Sequence, residues 1–321
     1  TGDFTHPRWL GEIKSSLEEF DGSGLYKIKA NPNSPVAFIL SAEVCTIFEF
    51  ESKSRKIHHV ILTPKLDLID QLNDRLRTRG DLEIDGRPTL KMTAPELVEE
   101  VIAVSQDNLI FPAHAWTPWY SLFGANAGFD RIEDCYQDMA RRVYALETGL
   151  SSDPPMNWRL TSLDRLALLS NSDSHSAWPW RIGREANVFE LDNLTYWEIM
   201  DAIKTKDPRR FKFTIETDPS YGKYHWTGHR QCGISMPASE AISLGNVCPK
   251  CSRKLTKGVE QRVEELADRP EGRKPPDAIE FTHLLPLSEI IATAIGSESP
   301  SSPRVWEHYN RLIDRFRDEY S

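Results

Sequence analysis

The chain has 321 residues, a formal net charge of −9 and 39% apolar residues. Its length allows about two domains, and its apolar content supports a sizeable core, which excludes a disordered chain. No apolar run approaches the roughly 18 residues of a membrane-spanning helix and no signal peptide opens the chain, so we expect a cytoplasmic protein without membrane contact. The five cysteines form no even disulfide framework, which agrees with a reducing compartment.

Strand-like and helix-like segments alternate along the first 217 residues. Helices are predicted at 8–20, 64–80, from Thr93 onward, at 130–149 and at 194–206. The helix at Thr93 opens with a capping box that Glu96 completes. Strands are predicted at 36–44, 45–52, 56–63, 109–115, 166–173, 186–191 and 211–217. This alternation predicts an α/β fold, either a barrel or an open sheet.

The character of the chain changes after residue 217. Residues 218–257 are rich in turn residues, cysteine and histidine, and 267–281 form a Pro- and charge-rich stretch that predicts an extended connection. Two helices are predicted near 286–295 and 302–318. We therefore expect two regions, 1–217 and 218–321, with a small module at about 224–257 and a helical tail.

Histidine and carboxylate side chains collect where predicted strands end, which is where α/β folds place their functional groups. Together they suit Zn²⁺, Mn²⁺ or Fe²⁺, which lower the pKa of a bound water. His58 and His59 point to opposite strand faces, so at most one faces such a site, and His59 is favoured. A single histidine at a strand end is more often structural, but the recurrence predicts a metal site formed by Asp3, His6, Glu43, His59, His114, Asp173 and His175.

A second group has the spacing of a structural zinc site. His229-x₂-Cys232 is followed, after fifteen residues, by Cys248-x₂-Cys251. His225 competes with His229 as the fourth ligand, and free thiols are the plain alternative. Such a zinc ion would stabilise a module too short to form a core alone.

Aromatic residues follow two of the candidate ligands directly. Core packing is their default explanation, but they could also form walls on which a base or sugar stacks. Arg181 and Arg184 are candidates for phosphate contact, although a structural ion pair explains them equally well. The aromatic candidates are Trp116, Trp119 and Tyr120 after His114, and Trp178 and Trp180 after His175.

Two basic runs are candidates for nucleic-acid contact despite the negative net charge. Solvated surface charge is an equally good explanation for each. The first comprises Lys204, Lys206, Arg209, Arg210 and Lys212, and the second Lys250, Arg253, Lys254, Lys257 and Arg262.

Several segments, taken together and in order, resemble the endonuclease Q family. They are TGDFTHPRW, SAEV, FPAHAWTPWYSLFG, SNSDSHSAWPWRIGREANVFE, the HxxC…CPKC module and RVEELADRP. The resemblance implies a distorted (β/α)₇ barrel of the polymerase-and-histidinol-phosphatase (PHP) type, followed by a zinc-binding region. It also implies up to three divalent metals, Zn, Mn, Mg or Fe, at the strand ends. The implied ligands are His6 or Asp3, Glu43, His59 or His58, His114, Asp173 and His175, with Glu43, His114, Asp173 and His175 at the catalytic centre.

The chain departs from the family pattern at its start. The His-x-His motif of the first barrel strand has no counterpart before Thr1, so we expect a fragment that lacks this strand and the family's extreme C-terminus. At least one metal would then be poorly held in the fragment alone.

The activity implied by the resemblance is cleavage of DNA 5′ to a deaminated base, such as uracil, hypoxanthine or xanthine, or to an abasic site. Single- or double-stranded DNA and a sliding clamp are the implied partners. A PHP-type small-molecule phosphoesterase is one alternative, although small phosphates need neither a zinc module nor basic runs. A DNA-binding fragment without activity is the other, because the first metal motif is missing.

Overall fold

The computed structural model describes residues 2–84 and 86–319, which form a mixed α/β arrangement. The α-helices are α1 (Pro7–Ser16), α2 (Leu66–Leu76), α3 (Ala94–Val104), α4 (Ile132–Tyr136), α5 (Pro154–Asn157), α6 (Pro179–Ile182), α7 (Tyr196–Thr205), α8 (Ala238–Ser243), α9 (Val259–Leu266), α10 (Leu287–Ala294) and α11 (Pro303–Phe316). The strands are β1 (Leu17–Glu19), β2 (Tyr26–Ile28), β3 (Leu40–Phe50), β4 (Lys53–Thr63), β5 (Thr89–Leu90), β6 (Leu109–Pro112), β7 (Ala145–Glu147), β8 (Ala167–Leu169), β9 (Ala186–Phe189), β10 (Phe211–Glu216), β11 (Thr227–His229), β12 (Ile234–Met236) and β13 (Glu280–His283).

A long antiparallel hairpin forms the centre of the largest sheet. The strands β3 and β4 pair over their full length, from Leu40 opposite Thr63 to Phe50 opposite Lys53. The two strands predicted at 36–44 and 45–52 are therefore one strand, because no turn residue interrupts the run of apolar and β-branched side chains around Cys45. The short strand β5 runs parallel to β3, and β6 runs antiparallel to β4.

Two further sheets continue beyond β6. The strands β7 and β8 pair in parallel, and β10 lies between β13, which is parallel to it, and β9, which is antiparallel. Within residues 2–84 and 86–319 the strands form five separate sheets rather than a closed barrel. In the same ranges no helix is long and apolar enough to cross a membrane.

The helix predicted at 130–149 is wrong over most of its length. Only α4 is α-helical there, and the chain reverses at Gln137, where φ is 49°, before a 3₁₀ turn from Gln137 to Arg142. Residues 145–147 then form β7, which is buried and pairs with β8. Tertiary pairing overrides local helix propensity in this segment. The capping box of α3 is confirmed, because Thr93 Oγ1 accepts from the Glu96 N–H and Glu96 Oε2 accepts from the Thr93 N–H.

Segments beyond residue 218 pack into the first part of the chain. Val259 and Val263 on α9 belong to the main hydrophobic core, and β13 extends the sheet of β10. The predicted helices near 286–295 and 302–318 are present as α10 and α11. These two helices share a small core of Ile291, Ala292 and Val305.

Candidate metal centre and its cavity

A cavity of about 960 Å³ opens between the strands of three sheets. Side chains from β3, β4, β6, β7, β8 and β9 line it, together with one face of α7. Apolar groups such as Val60, Leu62 and Phe111 form part of the wall. Its ionisable lining groups are Asp3, Glu43, Cys45, His58, Arg87, Tyr120, Glu147, Asp173 and His175.

Glu43 and His58 line this cavity, and His114 contacts both of them. The Oε1 atom of Glu43 lies 3.0 Å from His58 Nδ1 and 3.3 Å from His114 Nε2, and the two imidazole nitrogens are 3.0 Å apart. One ligand atom from each residue falls within 4.8 Å of the others, so the three residues could hold a metal ion. This donor set of two imidazoles and one carboxylate suits Zn²⁺, Mn²⁺ or Fe²⁺.

His114 is held in an unusual backbone conformation at the end of β6. Its φ is 27°, and Gly149 (φ 62°) lies directly against it, since a Cβ at Gly149 would be 2.9 Å from the His114 Cβ. The Nδ1 atom of His114 lies 3.0 Å from the Thr117 hydroxyl. That contact fixes the ring so that Nε2 faces Glu43 and His58.

The preference for His59 over His58 was wrong. His59 is fully buried, with Nε2 2.9 Å from Thr46 Oγ1 and Nδ1 2.9 Å from the Tyr136 hydroxyl. Both ring nitrogens are therefore used in the core behind the sheet, and burial lowers the pKa of His59 to about 3. The alternation of side chains along β4 places His58 on the cavity face.

Glu147 is a site residue that sequence reasoning missed. Its Oε2 accepts the His114 backbone N–H at 2.6 Å and its Oε1 accepts from Asn171 Nδ2 at 2.8 Å. Burial raises the pKa of this carboxyl to about 7. The residue escaped notice because it fell inside the wrongly predicted helix at 130–149, and only its place after the apolar pair Ala145–Leu146 hinted at a strand end.

Burial and contacts among its own members set the electrostatics of the trio. Burial alone would raise the pKa of Glu43, but hydrogen bonds from His114 and His58 hold it well below its usual range. Burial lowers the pKa of His58. Burial also opposes the charge of His114, but Glu43 outweighs it, and the pKa of His114 is raised.

The remaining predicted ligands lie outside the trio. Asp3 (φ 66°), Asp173 (φ 42°) and His175 line the same cavity, and His175 Nδ1 is 3.8 Å from Asp173 Oδ1. His6 instead caps α1, where its Nδ1 accepts from the Trp9 N–H at 3.4 Å, and it is not among the described residues that line the cavity.

The aromatic candidates divide into exposed and buried groups. Trp119, Tyr120 and Trp178 are exposed, and the Tyr120 ring stacks on His58 with centroids 5.0 Å apart. Trp116 is instead a core residue, 1% exposed, and its Nε1 donates to Asn157 Oδ1. Trp180 is 5% exposed, since it lies between Trp178 and Trp306 with centroids 4.8 and 5.5 Å away. Base contact by Trp116 or Trp180 is therefore corrected to core packing.

The HxxC…CxxC residues come together in the C-terminal region. Ligand atoms of His229, Cys232, Cys248 and Cys251 lie within 4.8 Å of one another, with Cys251 Sγ 3.3 Å from His229 Nδ1. Although burial opposes ionisation, backbone N–H groups of Lys250 and Cys251 hold the pKa of the Cys248 thiol below its usual range. His225 is outside this group, with its ring against Trp226.

Most of the basic residues have structural partners. In the first run, Arg209 and Arg210 pair with Asp207 and Asp201, and Lys212 pairs with Glu190. Arg184 Nη2 donates to the Ser172 carbonyl, and Arg181 lies 4.0 Å from Glu289. The ion pairs of the first run favour a structural role for its arginines and for Lys212 over contact with nucleic acid. In the second run Lys250, Arg253 and Lys254 are exposed beside the cysteine cluster.

The RVEELADRP segment joins the C-terminal region to the first part of the chain. Arg262 donates through Nε to Phe123 O (2.9 Å) and through Nη2 to Phe129 O (3.1 Å), on the loop that follows His114. It is therefore a half-buried connection between two parts of the chain rather than a member of a DNA-contacting surface. Further ion pairs and hydrogen bonds join Glu264 to Arg159, Asp268 to Thr161 and Arg269 to Asp164.

Comparison with solved structures shows which known proteins share this architecture. The lesion-specific endonuclease PfuEndoQ from Pyrococcus furiosus superimposes with a TM-score of 0.85 at 35% identity, over 100% of this chain and 74% of that chain. The chain belongs to the endonuclease Q family. A structure of endonuclease Q in complex with a 27-mer duplex carrying an abasic lesion at its active site matches with a TM-score of 0.85 at 34% identity, covering 100% of this chain and 75% of that one. The members of this family named above are endonucleases, so the chain belongs to a family of enzymes.

Two relatives of this endonuclease Q family member by sequence are uncharacterised proteins. The Methanocaldococcus jannaschii protein MJ0043 is 35% identical over 207 residues, which are 61% of this chain and 25% of that protein. The Bacillus subtilis protein YqxK is 30% identical over 280 residues, 86% of this chain and 66% of that protein. The match thus spans a quarter of the first relative. No family model matches the chain.

Proposed function

We propose that this chain carries the catalytic centre of a metal-dependent DNA repair endonuclease. It would cleave the phosphodiester 5′ to an abasic site or to a deaminated base such as uracil, hypoxanthine or xanthine. The observation that carries the proposal is the Glu43–His58–His114 trio, two members of which line a large cavity, in a chain similar to a lesion-specific endonuclease. Residues 1–217 would belong to a PHP-type barrel, and 218–321 to a C-terminal region with a zinc-binding module at about 224–257 and a helical tail.

The donor chemistry of the cavity supports a divalent metal. Glu43, His58 and His114 would hold one ion, and Asp3, Asp173 and His175 face the same cavity as candidate ligands for others. A bound divalent cation would neutralise the scissile phosphate and lower the pKa of a coordinated water. The two imidazoles favour Zn²⁺, Mn²⁺ or Fe²⁺ over Mg²⁺.

The chain's own residues would position this centre and the damaged nucleotide. Thr117 and Glu147 hold the ring and backbone of His114, so that its Nε2 stays aimed at Glu43 and His58. The exposed rings of Trp119, Tyr120 and Trp178 offer faces for a base or sugar that leaves the helical stack. Extrusion costs least at an abasic or mispaired position, which would contribute to selection of the lesion.

A structural zinc ion held by His229, Cys232, Cys248 and Cys251 would order the C-terminal module. Among the described residues the core of this module is a small cluster around Met236, Ala241 and Leu255, so a metal would supply much of its stability. Exposed Lys250, Arg253 and Lys254 beside the cysteines would contact DNA phosphates without reading sequence. Arg181 is a further candidate for phosphate contact.

The proposal is tested with duplexes that carry one abasic site, one uracil, one hypoxanthine, one xanthine or no lesion. The chain is incubated with each in Mn²⁺ or Mg²⁺, beside His58→Ala, Asp173→Ala and, as a control, Glu190→Gln, which changes an exposed side chain that is not among those lining the cavity. A single nick 5′ to the lesion, lost in the first two variants and kept in the third, supports the endonuclease. Turnover of small phosphoesters without a lesion-dependent nick would instead identify a phosphoesterase, and lesion binding without cleavage a DNA-binding protein.

A further inference from the structure

Arg87 is a cavity residue to which neither the sequence motifs nor the metal trio gives a role. Its Nη1 lies 3.3 Å from Glu43 Oε2 and 3.4 Å from Oε1, and its side chain is 32% exposed. Among the described residues that line the cavity it is the only lysine or arginine. Four carboxyl groups line the same cavity, those of Asp3, Glu43, Glu147 and Asp173.

The backbone around Arg87 holds it firmly beside Glu43. The strand β5, which begins two residues later, pairs with β3, and the Cys45 N–H donates to the Pro88 carbonyl at 2.9 Å. Pro88 restricts the backbone of Arg87 to extended conformations. The start of the Arg87 side chain is thus placed by the same strand that carries Glu43, so only its flexible end is free to choose a partner.

Glu43 has other partners that would remain without Arg87. Both His58 and His114 contact its Oε1, and a metal ion held by this trio would repel a guanidinium. Arg87 also has N–H groups that are not used by Glu43. Its hydrogen bonds to described residues are made through Nη1 alone, whereas a guanidinium has five N–H groups. A planar, permanently charged donor set of this kind binds phosphate oxygens well.

An anionic backbone entering a cavity with four carboxyl groups needs a fixed positive charge besides the metal. We infer that Arg87 is a substrate-binding residue whose guanidinium contacts a non-bridging oxygen of the scissile phosphodiester. This inference rests on the proposed function. The alternative is a purely structural ion pair that holds Glu43 in place.

The experiment compares wild type with Arg87→Gln, Arg87→Lys and the control Arg131→Gln, which removes an exposed arginine that pairs with Glu133 away from the cavity. Binding to the abasic duplex is measured by fluorescence anisotropy across a salt series without cleavage-supporting metal. Bound metal is counted by elemental analysis. Nicking is followed in Mn²⁺ to separate kcat from KM.

We expect Arg87→Gln to lower nicking by at least about tenfold, since it removes one charged donor from the reacting phosphate. A plot of the logarithm of the binding constant against the logarithm of the salt concentration has a negative slope. Its magnitude should decrease by about 0.9, the value for one phosphate contact, with bound metal unchanged. Arg87→Lys should keep the slope and recover part of the rate, and it also tests the idea if the glutamine variant fails to fold. Arg131→Gln should match wild type in all three measurements.

Two results would overturn the inference. An unchanged salt slope in Arg87→Gln would mean that the guanidinium does not touch the phosphate. A loss of bound metal, with nicking restored by excess Mn²⁺, would mean that Arg87 only holds Glu43. If wild type nicks no duplex the proposed function fails, whereas the binding slope still decides the role of Arg87. If wild type binds no duplex, both fail.

Discussion

The carboxylate of Glu147 holds the backbone of His114 and links it to Asn171, so that the residues following β6 and β8 are tied together. Glu147 is the last residue of β7, and its Oε2 accepts a hydrogen bond of 2.6 Å from the His114 N–H. Its Oε1 accepts from Nδ2 of Asn171, which follows β8. The side chain is buried, so neither donor has water as an alternative partner. Glu147 therefore supports the strained backbone of His114 without being a member of the metal trio itself.

Replacing Glu147 should loosen this support. Glu147→Ala leaves the buried His114 N–H without its acceptor, so we expect a loss of about 1–3 kcal/mol in the free energy of unfolding and less bound metal. Glu147→Gln should lose less, because its amide still offers one acceptor. Urea unfolding and elemental analysis check both variants against exposed Glu190→Gln, which should stay near wild type. Equal stability of the alanine variant and wild type would contradict the role.

His58 and His59 provide a matched pair of neighbouring histidines with opposite surroundings. We expect His58→Ala to abolish metal binding by the trio and to cost less stability than His59→Ala, because the His58 ring lines a cavity whereas the His59 ring lies in the core. His59→Ala should lower stability by about 2 kcal/mol or more, since it empties a buried space and leaves Tyr136 and Thr46 without their partner. Metal content and thermal unfolding measured on both variants check the assignment. The reversed pattern would return the ligand role to His59.

His58 and His59 show which part of the site could be predicted from the sequence and which could not. The alternation along a strand shows that the two histidines face opposite sides, but the side that faces the core depends on Tyr136, 77 residues away along the chain. The same limit explains Trp116 and Trp180, whose burial depends on Asn157 and Trp306. Glu147 was hidden by a helical pattern that a strand pairing overrides. Such contacts between distant segments are not encoded in local periodicity.

The cysteine cluster was predictable for the opposite reason. Its ligands lie in two short pairs whose spacing alone defines a four-ligand group, and the structure brings all four within 4.8 Å. The capping box of α3 and the helices α10 and α11 are equally local features, and they were predicted correctly. Local geometry could thus be predicted from the sequence, whereas the choice of face and the partners across sheets could not.

Loss of one cysteine ligand should release a metal from the C-terminal module. We expect Cys251→Ser to lose about one zinc per chain, and a strong chelator to have the same effect on wild type. Cys135→Ala, which removes a buried thiol in α4 that is not among the described residues lining the cavity, should keep the zinc. Elemental analysis of both variants decides the matter. Full zinc content in Cys251→Ser would point to a different ligand set, with His225 as the next candidate.

Arg262 should couple the C-terminal region to the loop after His114. Arg262→Ala leaves the carbonyls of Phe123 and Phe129 without these donors, so we expect a loss of about 1–3 kcal/mol in the free energy of unfolding. Arg262→Lys keeps the charge but cannot reproduce both hydrogen bonds, so it should lie between. Urea unfolding compares them with exposed Arg131→Ala. Identical stability of the two alanine variants would show that the connection contributes nothing.

Glu185 should make the stability of the fold depend on pH. Burial, followed by the nearby charge of Glu216, raises the pKa of Glu185 to about 9, and its Oε2 is buried without a hydrogen-bond partner among described residues. The unfolded chain ionises this group near its usual 4.5. Between these values the folded state binds more protons, so the stability is fully present below 4.5 and is lost as the pH rises towards 9.

Glu185→Gln removes this ionisable group while keeping its size. Relative to wild type, the variant should gain on the order of 2 kcal/mol in the free energy of unfolding between about pH 5 and about pH 8. Urea unfolding at several pH values measures the difference, with Glu190→Gln as the control that should follow the wild-type curve. Glu216, whose pKa burial raises to about 7, will leave part of the slope in place. Parallel curves for wild type and Glu185→Gln would mean that Glu185 ionises in the folded protein much as it does in the unfolded chain.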